Sequence, residues 1–242
     1  MNKIAVKDYA ELSGIACEIL LEQVRQKPNC VLGLATGSTP LGAYQGLVAA
    51  YRAGKISFAQ CKSINLDEYA GLAPENPASY HYFMWEHLFS QIDISPENTH
   101  LPDGKNPDAQ TVCAQYDKLV ADLGPIDLQI LGIGTNGHIA FNEPADHFVA
   151  GTHLVGLDEA TIEANARFFD HRDDVPKQAY TLGMGGILNA RRVLLLVSGA
   201  AKADALHQSL TGPITPQVPA SILQLHNHLT IIADEAAWSR FS

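Results

Sequence analysis

The sequence has few basic residues: its 242 residues include 16 lysines and arginines against 26 aspartates and glutamates, for a formal net charge of −10. A surface of this sign repels nucleic-acid phosphates and anionic membranes, so we expect neither as a partner. With so few cations, an anionic ligand has to be bound by backbone amides together with a few placed basic side chains.

Aromatic residues are also scarce, at 7% of the chain, although 46% of the residues are hydrophobic. This balance is typical of buried parallel strands rich in Val, Ile and Leu. No apolar run is long enough to span a bilayer, and residues 1–8 lack the apolar core of a signal peptide. We therefore expect a soluble, cytoplasmic protein.

Paired cysteines and metal-ligand spacings are absent as well. The four cysteines stand singly, without a C-x-x-C pair, and we interpret them as small buried side chains in a reducing compartment. His226 and His228 have no cysteine or carboxylate at ligand spacing, so we expect surface histidines and no metal.

Apolar runs that resemble strands alternate with amphipathic segments along the whole chain. The runs at residues 30–35, 62–66, 127–131, 192–197 and 229–234 predict strands. The segments between them predict helices, among others at residues 9–26, 109–123, 159–169 and 176–189. This alternation predicts an α/β fold with an open, mostly parallel, Rossmann-like sheet flanked by helices on both faces, in a single domain of residues 1–242. Residues 145–178 lie beyond a strand end, and we interpret them as a candidate lid.

The most informative stretch is GIGTNGHIAFNEP, residues 132–144, which follows the strand predicted at 127–131. Its three glycines allow a sharp turn, and the turn carries Asn136, His138 and Glu143. Ligands of open parallel sheets bind just beyond the carboxyl ends of the strands. A plain glycine-rich turn with a surface histidine does not account for an amide, an imidazole and a carboxylate together, so we predict the reaction site here.

Two other turns between a strand and a helix are candidate anion sites. In TGSTP, residues 36–40, the amides and hydroxyls of Gly37, Ser38 and Thr39 meet the positive end of the following helix. The turn is not a Walker loop, because the required spacing and the Gly-Lys pair are missing. The alternative is that Ser38 or Thr39 only caps that helix. The turn at residues 198–202 brings Lys202 within possible reach of an anion, with a solvated lysine as the alternative.

Asp67 and Glu68 are adjacent carboxylates at the end of the strand predicted at 62–66. They could be a solvated pair, or one of them could be a proton acceptor aimed over the sheet.

In this order along the chain, these motifs resemble those of glucosamine-6-phosphate deaminases, whose fold group includes ribose-5-phosphate isomerases and 6-phosphogluconolactonases. The resemblance covers nearly the whole chain and rests on LATGSTP (34–40), LDEY (66–69), GHIAFNEP (137–144), NARFF (165–169) and GAAK (199–202). The lactonases share the Gly-His pair, whereas the FNEP continuation and the LDEY segment point to the deaminases.

The resemblance implies conversion of glucosamine 6-phosphate and water into fructose 6-phosphate and ammonia, in amino-sugar catabolism, without a metal or organic cofactor. It implies that His138 assists opening of the pyranose ring, oriented by Asn136 and Glu143, and that Asp67 moves a proton from C2 to C1. The residues that it assigns to the substrate phosphate are Gly37, Ser38, Thr39, Arg167 and Lys202. The expected partner is a small sugar phosphate.

Two departures from the family pattern carry predictions. Many relatives have Asp where this chain has Asn136, an amide that could fix the imidazole tautomer through its carbonyl but stabilises an imidazolium less. Residues 145–154 lack the basic cluster of the allosterically activated hexameric relatives, which predicts an unregulated monomer or small homo-oligomer.

Two rival functions remain open. A 6-phosphogluconolactonase would use His138 as a base for water and would not need Asp67. A sugar-phosphate sensor domain of a transcriptional regulator would use the same phosphate turns without turnover, but no basic N-terminal module is present.

Overall fold

A sheet of seven parallel strands forms the centre of the computed structural model, which describes residues 1–166, 169 and 171–241. Its strands are β1 (Asn2–Val6), β2 (Val31–Leu34), β3 (Lys62–Asn65), β5 (Thr99–His100), β6 (Leu128–Leu131), β9 (Val193–Val197) and β10 (Leu229–Asp234). They are ordered β1-β10-β9-β6-β2-β3-β5, and every neighbouring pair is parallel. β2, β6 and β9 are buried along their whole length, and apart from Gln129 in β6 they contain no polar side chain.

Helices connect and flank these strands. They are α1 (Tyr9–Gln26), α2 (Leu41–Arg52), α3 (Tyr80–His87), α4 (Ala109–Leu123), α5 (Glu159–Asn165), α6 (Met184–Leu188), α7 (Ala203–Thr211) and α8 (Glu235–Trp238). Asp8 caps α1 by accepting a hydrogen bond from the Glu11 amide, and the helix buries four leucine and valine side chains at helical spacing. In the part of the chain that the structure describes, no helix has both the length and the apolar character needed to cross a bilayer.

A small antiparallel sheet stands beside the carboxyl ends of the parallel strands. It consists of β4 (Asp67–Tyr69), β8 (Gln178–Thr181) and β7 (His153–Gly156), in that order. Because β4 begins two residues after β3 ends, the chain passes directly from the large sheet to the small one. A separate apolar cluster that includes Tyr69, Phe141 and Ile162 packs against this small sheet.

The predicted fold class is confirmed, and so are the five predicted strands, which correspond to β2, β3, β6, β9 and β10. The helix predicted at residues 176–189 is wrong in its first half, where β8 forms, and is a helix only at α6. The helix predicted at 159–169 is confirmed as α5 up to Asn165, and its end at Arg167 and Phe168 lies outside the described residues. The lid role of residues 145–178 stays a prediction.

Candidate active site

A cleft of about 200 Å³ opens at the carboxyl ends of β2, β3, β6 and β9. The turns after these strands supply most of its lining, which includes residues 35–40, Leu66, Asp67, residues 132–135, His138 and Lys202. The structure therefore brings together six of the nine residues predicted from the sequence: Gly37, Ser38, Thr39, Asp67, His138 and Lys202. Asn136 and Glu143 lie behind His138, whereas Arg167 falls outside the described residues.

The glycine-rich turn after β6 is shaped around the imidazole of His138. A Cβ atom on Gly134 would lie 2.4 Å from the Cε1 and Nδ1 atoms of that ring, so only glycine lets the ring pack against the turn. The Gly134 amide also donates a 2.8 Å hydrogen bond to the carbonyl of His138. His138 is thereby held at the edge of the cleft with its side chain 20% exposed.

Glu143 binds Nδ1 of that imidazole. Its Oε2 lies 3.2 Å from Nδ1 of His138, and its side chain is only 5% exposed. Burial by itself raises the pKa of Glu143, but hydrogen bonds from His138, Thr161 and Asn136 keep that pKa below its ordinary value. The ionised carboxylate favours the Nδ1–H tautomer, which leaves Nε2 available to a ligand in the cleft.

The contacts of Asn136 differ from those expected. Its carbonyl accepts a 3.2 Å hydrogen bond from the backbone amide of His138, not from the imidazole. Its side-chain amide donates to Oε2 of Glu143 at 2.7 Å and to Oδ2 of Asp158 at 3.1 Å. Asn136 thus acts on the histidine through Glu143, and it supplies a donor between two carboxylates.

Asp67 lines the same cleft and is buried, with 6% of its surface exposed. Burial, together with the negative charge of Glu68, raises the pKa of Asp67 well above its ordinary value. A carboxylate in this environment is a stronger base than one in water.

Glu68 has a structural environment. Its carboxylate accepts hydrogen bonds of 2.8–2.9 Å from the backbone amides of Tyr69, Tyr80 and His81, and so anchors the start of α3. Burial raises the pKa of Glu68 to about 7, although these amides favour the charged form. Since Asp67 and Glu68 are both buried, they are not a solvated pair.

The turn between β2 and α2 presents backbone to the cleft. Gly37 has φ 91°, a conformation that favours glycine, and α2 begins at Leu41 with Pro40 as its N-cap. The N-cap position of α2 is occupied by Pro40, so neither Ser38 nor Thr39 is the N-cap residue of that helix. Tyr9 braces this turn, because its hydroxyl donates to the Ser38 carbonyl at 2.8 Å and accepts from the Gly42 amide at 2.9 Å.

Tyr80, Phe141 and Thr161 are among the lining residues that sequence reasoning did not predict as site residues. Tyr80 lies on the apolar period of α3, a pattern typical of a core residue, and it stacks on Phe141 with ring centroids 5.8 Å apart. Phe141 lies inside the glycine-rich motif, which could have identified it. Thr161 gave no signal, because its partner Glu143 is 18 residues away in the sequence.

No three histidine, cysteine or acidic side chains are grouped so as to hold a metal ion within residues 1–166, 169 and 171–241.

Comparison with known proteins gives a consistent result. The family model for glucosamine-6-phosphate isomerases and 6-phosphogluconolactonase matches residues 8–232. A glucosamine-6-phosphate deaminase of Lachnoclostridium phytofermentans is 53% identical over 232 residues, which cover 96% of this chain and 98% of the relative. One of Clostridioides difficile is 50% identical over 242 residues, covering 100% and 97%.

Solved structures agree with this fold. A monomeric glucosamine-6-phosphate deaminase superposes with a TM-score of 0.96 at 45% identity, covering 99% of both chains. A 6-phosphogluconolactonase from Thermotoga maritima superposes with a TM-score of 0.77 at 20% identity, covering 97% of this chain and 99% of that one. The second similarity concerns the fold alone.

Proposed function

The chain belongs to the family of glucosamine-6-phosphate isomerases and 6-phosphogluconolactonases, and from this membership we propose that its cleft deaminates glucosamine 6-phosphate. The protein is a glucosamine-6-phosphate deaminase: it converts glucosamine 6-phosphate and water into fructose 6-phosphate and ammonia. The observation that carries the mechanism is the presence of two separate acid–base groups, His138 and Asp67, lining one cleft.

The first step is opening of the sugar ring. Nε2 of His138 takes the proton of the anomeric hydroxyl and returns a proton to the ring oxygen, which yields the open-chain aldehyde. Nδ1 stays bonded to Glu143 throughout, so the carboxylate balances the positive charge that the imidazole gains.

The second step moves a proton between neighbouring carbons. The Asp67 carboxylate removes the proton from C2 while one proton of the substrate's own ammonium group moves to the aldehyde oxygen, which gives a neutral enolamine. The protonated Asp67 then returns its proton to C1, which regenerates the carboxylate and leaves an iminium at C2. Water adds to that carbon and ammonia leaves, so that the ketose phosphate is formed. The buried position of Asp67 supports this role, because desolvation raises the basicity of its carboxylate.

Phosphate binding at the far end positions the reacting carbons. In our proposal, the turn formed by Gly37, Ser38 and Thr39 supplies backbone and hydroxyl donors, and Lys202 and Arg167 supply positive charge. We further propose that the enzyme works in the cytoplasm as a monomer or small homo-oligomer, with a sugar phosphate and no nucleic acid or membrane as its partner.

The test is ammonia release on addition of glucosamine 6-phosphate, beside a parallel assay with 6-phosphogluconolactone. We expect ammonia and fructose 6-phosphate in the first assay and no acceleration of lactone hydrolysis in the second. Lactone hydrolysis that survives loss of Asp67 would favour the lactonase, because water attack on a lactone needs no base at C2. Binding of the sugar phosphate without turnover would favour a sensor domain.

A further inference from the structure

Thr161 lies in the first turn of α5 and contacts the Glu143 carboxylate. Its hydroxyl donates a 2.5 Å hydrogen bond to Oε1 of Glu143 and lies 3.5 Å from Nδ1 of His138. The residue is 4% exposed and lines the cleft. A threonine inside a helix commonly turns its hydroxyl back to a carbonyl of the preceding turn. Thr161 bonds a carboxylate from a different segment instead, so this contact joins α5 to the turn after β6.

Asp158, the residue that precedes α5, makes a second contact of the same kind. An aspartate at this position usually caps its own helix. In the described part of the chain, the Asp158 side chain makes no capping bond and instead accepts a 3.1 Å hydrogen bond from Asn136. Both contacts join the start of α5 to the group that surrounds His138.

The two oxygens of Glu143 are bonded by different partners. Oε2 faces His138 and Asn136, whereas Oε1 accepts from Thr161. With the Glu143 side chain 5% exposed, little water is available to replace a lost donor. Without the Thr161 hydroxyl, the Glu143 carboxylate loses a contact that fixes its orientation. It also loses one of the hydrogen bonds that lower its pKa.

We propose that Thr161 is a positioning residue for ring opening: its hydroxyl fixes the Glu143 carboxylate in the orientation that holds His138 toward the substrate. This assignment rests on the proposed deaminase function and gives α5 a part in the acid–base chemistry of the cleft. Among the described residues, the titratable groups beside Glu143 are His138 and, around a neighbouring cavity, Asp158, His147 and His153. All of them are unchanged in the variants below.

The test compares Thr161→Val, which keeps the shape of the side chain and removes the hydroxyl, with Thr161→Ser, which keeps the hydroxyl. We expect Thr161→Val to lower kcat roughly 10-fold at neutral pH, with KM changed by less than about twofold. The acid limb of its pH–kcat profile should move to higher pH, because the Glu143 carboxylate takes up a proton more readily without this donor. Thr161→Ser should keep the wild-type profile.

Thr152→Val is the matched control. Thr152 is a buried threonine outside the cleft, and its hydroxyl has no hydrogen-bond partner among the described residues. We expect this variant to keep the wild-type kcat and pH profile. If Thr161→Val does not fold, Thr161→Ala removes the same hydroxyl without adding bulk and takes its place.

A Thr161→Val enzyme with the wild-type acid limb, even one of lower thermal stability, would overturn the proposal, as would a Thr161→Ser enzyme that resembles Thr161→Val. Absence of ammonia release by the wild-type enzyme is a different outcome. It would overturn the proposed function itself.

Discussion

Two adjacent residues, Asp67 and Glu68, have the same chemistry and opposite surroundings. They lie on β4, where successive side chains point to opposite faces, so Asp67 reaches the cleft and Glu68 reaches the start of α3. The residue pattern alone left open which of the two is the base, and the family resemblance implied Asp67. The backbone of β4 makes the distinction.

Asp67→Asn, which is nearly isosteric, should therefore abolish both turnover and exchange of the C2 proton with solvent while leaving phosphate binding intact. Glu68→Gln is the control: it should retain C2 exchange but lose about 1–3 kcal/mol of unfolding free energy, because one anchoring amide of α3 loses its acceptor. NMR of the exchange in heavy water and thermal melts measure the two effects. If Asp67→Asn exchanged at the wild-type rate and Glu68→Gln did not, Glu68 would be the base.

Asp67→Asn should also make the protein more stable, by an amount that increases with pH. Because burial raises the folded pKa of Asp67, its contribution to stability is complete below an unfolded pKa near 4 and is lost as the pH rises toward the folded pKa. Asparagine does not titrate and avoids this loss. We expect the Tm of Asp67→Asn to exceed that of the wild type by about 2–4 °C at pH 8, with the difference vanishing near pH 4. A difference that grew on acidification would contradict the burial of a protonatable Asp67.

Asn136 offers a third test at the residue scale. Its side-chain amide donates to Glu143 and Asp158, so Asn136→Asp would place three carboxylates together. We expect kcat to fall roughly 10- to 100-fold, the usual consequence of losing a hydrogen bond to a charged group. Adding Asp158→Asn should restore much of the activity, because an amide at 158 can donate to the new carboxylate. Full activity of Asn136→Asp alone would mean that the residue only orients His138, as the sequence first suggested.

At the scale of elements, five of the seven parallel strands were predictable from the sequence, whereas β1, β5 and the small sheet were not. Strands such as β9 are buried on both faces, so their sequences are uniformly apolar. β8, with the sequence QAYT, has no such apolar run. It lies between β4 and β7, two short strands that are 84 or more residues apart in the chain. Its residues also fit the period of a helix. β1 was also missed, because it is an edge strand with mostly exposed residues.

Some residues of the candidate site could also be recognised from the sequence, whereas others could not. Side chains carried by strand-end turns, such as Asp67 and His138, were recognisable because the sheet topology brings these turns together. The role of Asn136 depends on which of its atoms meets Glu143, and the contact of Thr161 depends on where α5 docks. Both are consequences of tertiary packing that local sequence does not record.

The proposed phosphate site, which combines the turn at residues 36–40 with Arg167 and Lys202, can be tested at Arg167. We expect Arg167→Ala to cost about 2–4 kcal/mol in transition-state binding of the phosphorylated sugar, as is typical for loss of a charged hydrogen-bonding partner. Arg172→Ala is the control on the same segment, because the Arg172 guanidinium pairs with Glu159 and Glu163. The measurement is the ratio of kcat/KM for glucosamine 6-phosphate to that for glucosamine. An unchanged ratio in Arg167→Ala would remove Arg167 from the phosphate site.

At the scale of the whole molecule, we predict an enzyme without allosteric activation. Residues 145–154 contain no lysine or arginine, so this segment offers no permanently charged side chain to the phosphate of a second sugar phosphate. The similarity of the whole chain to a monomeric deaminase supports a monomer or small homo-oligomer. Kinetics should be hyperbolic and unaffected by N-acetylglucosamine 6-phosphate, and light scattering should give a mass well below that of a hexamer. Sigmoidal kinetics abolished by that effector would contradict the prediction.

The pairing of β1 with β10 has a consequence for how the protein is made. Asn2 lies opposite Thr230, so this edge of the sheet joins residues 228 positions apart in the chain. A ribosome adds about 5–20 residues per second, so β1 waits roughly 10–45 s for the strand it pairs with. During that interval the growing chain cannot complete its sheet. The pairing of β1 therefore depends on the synthesis of β10.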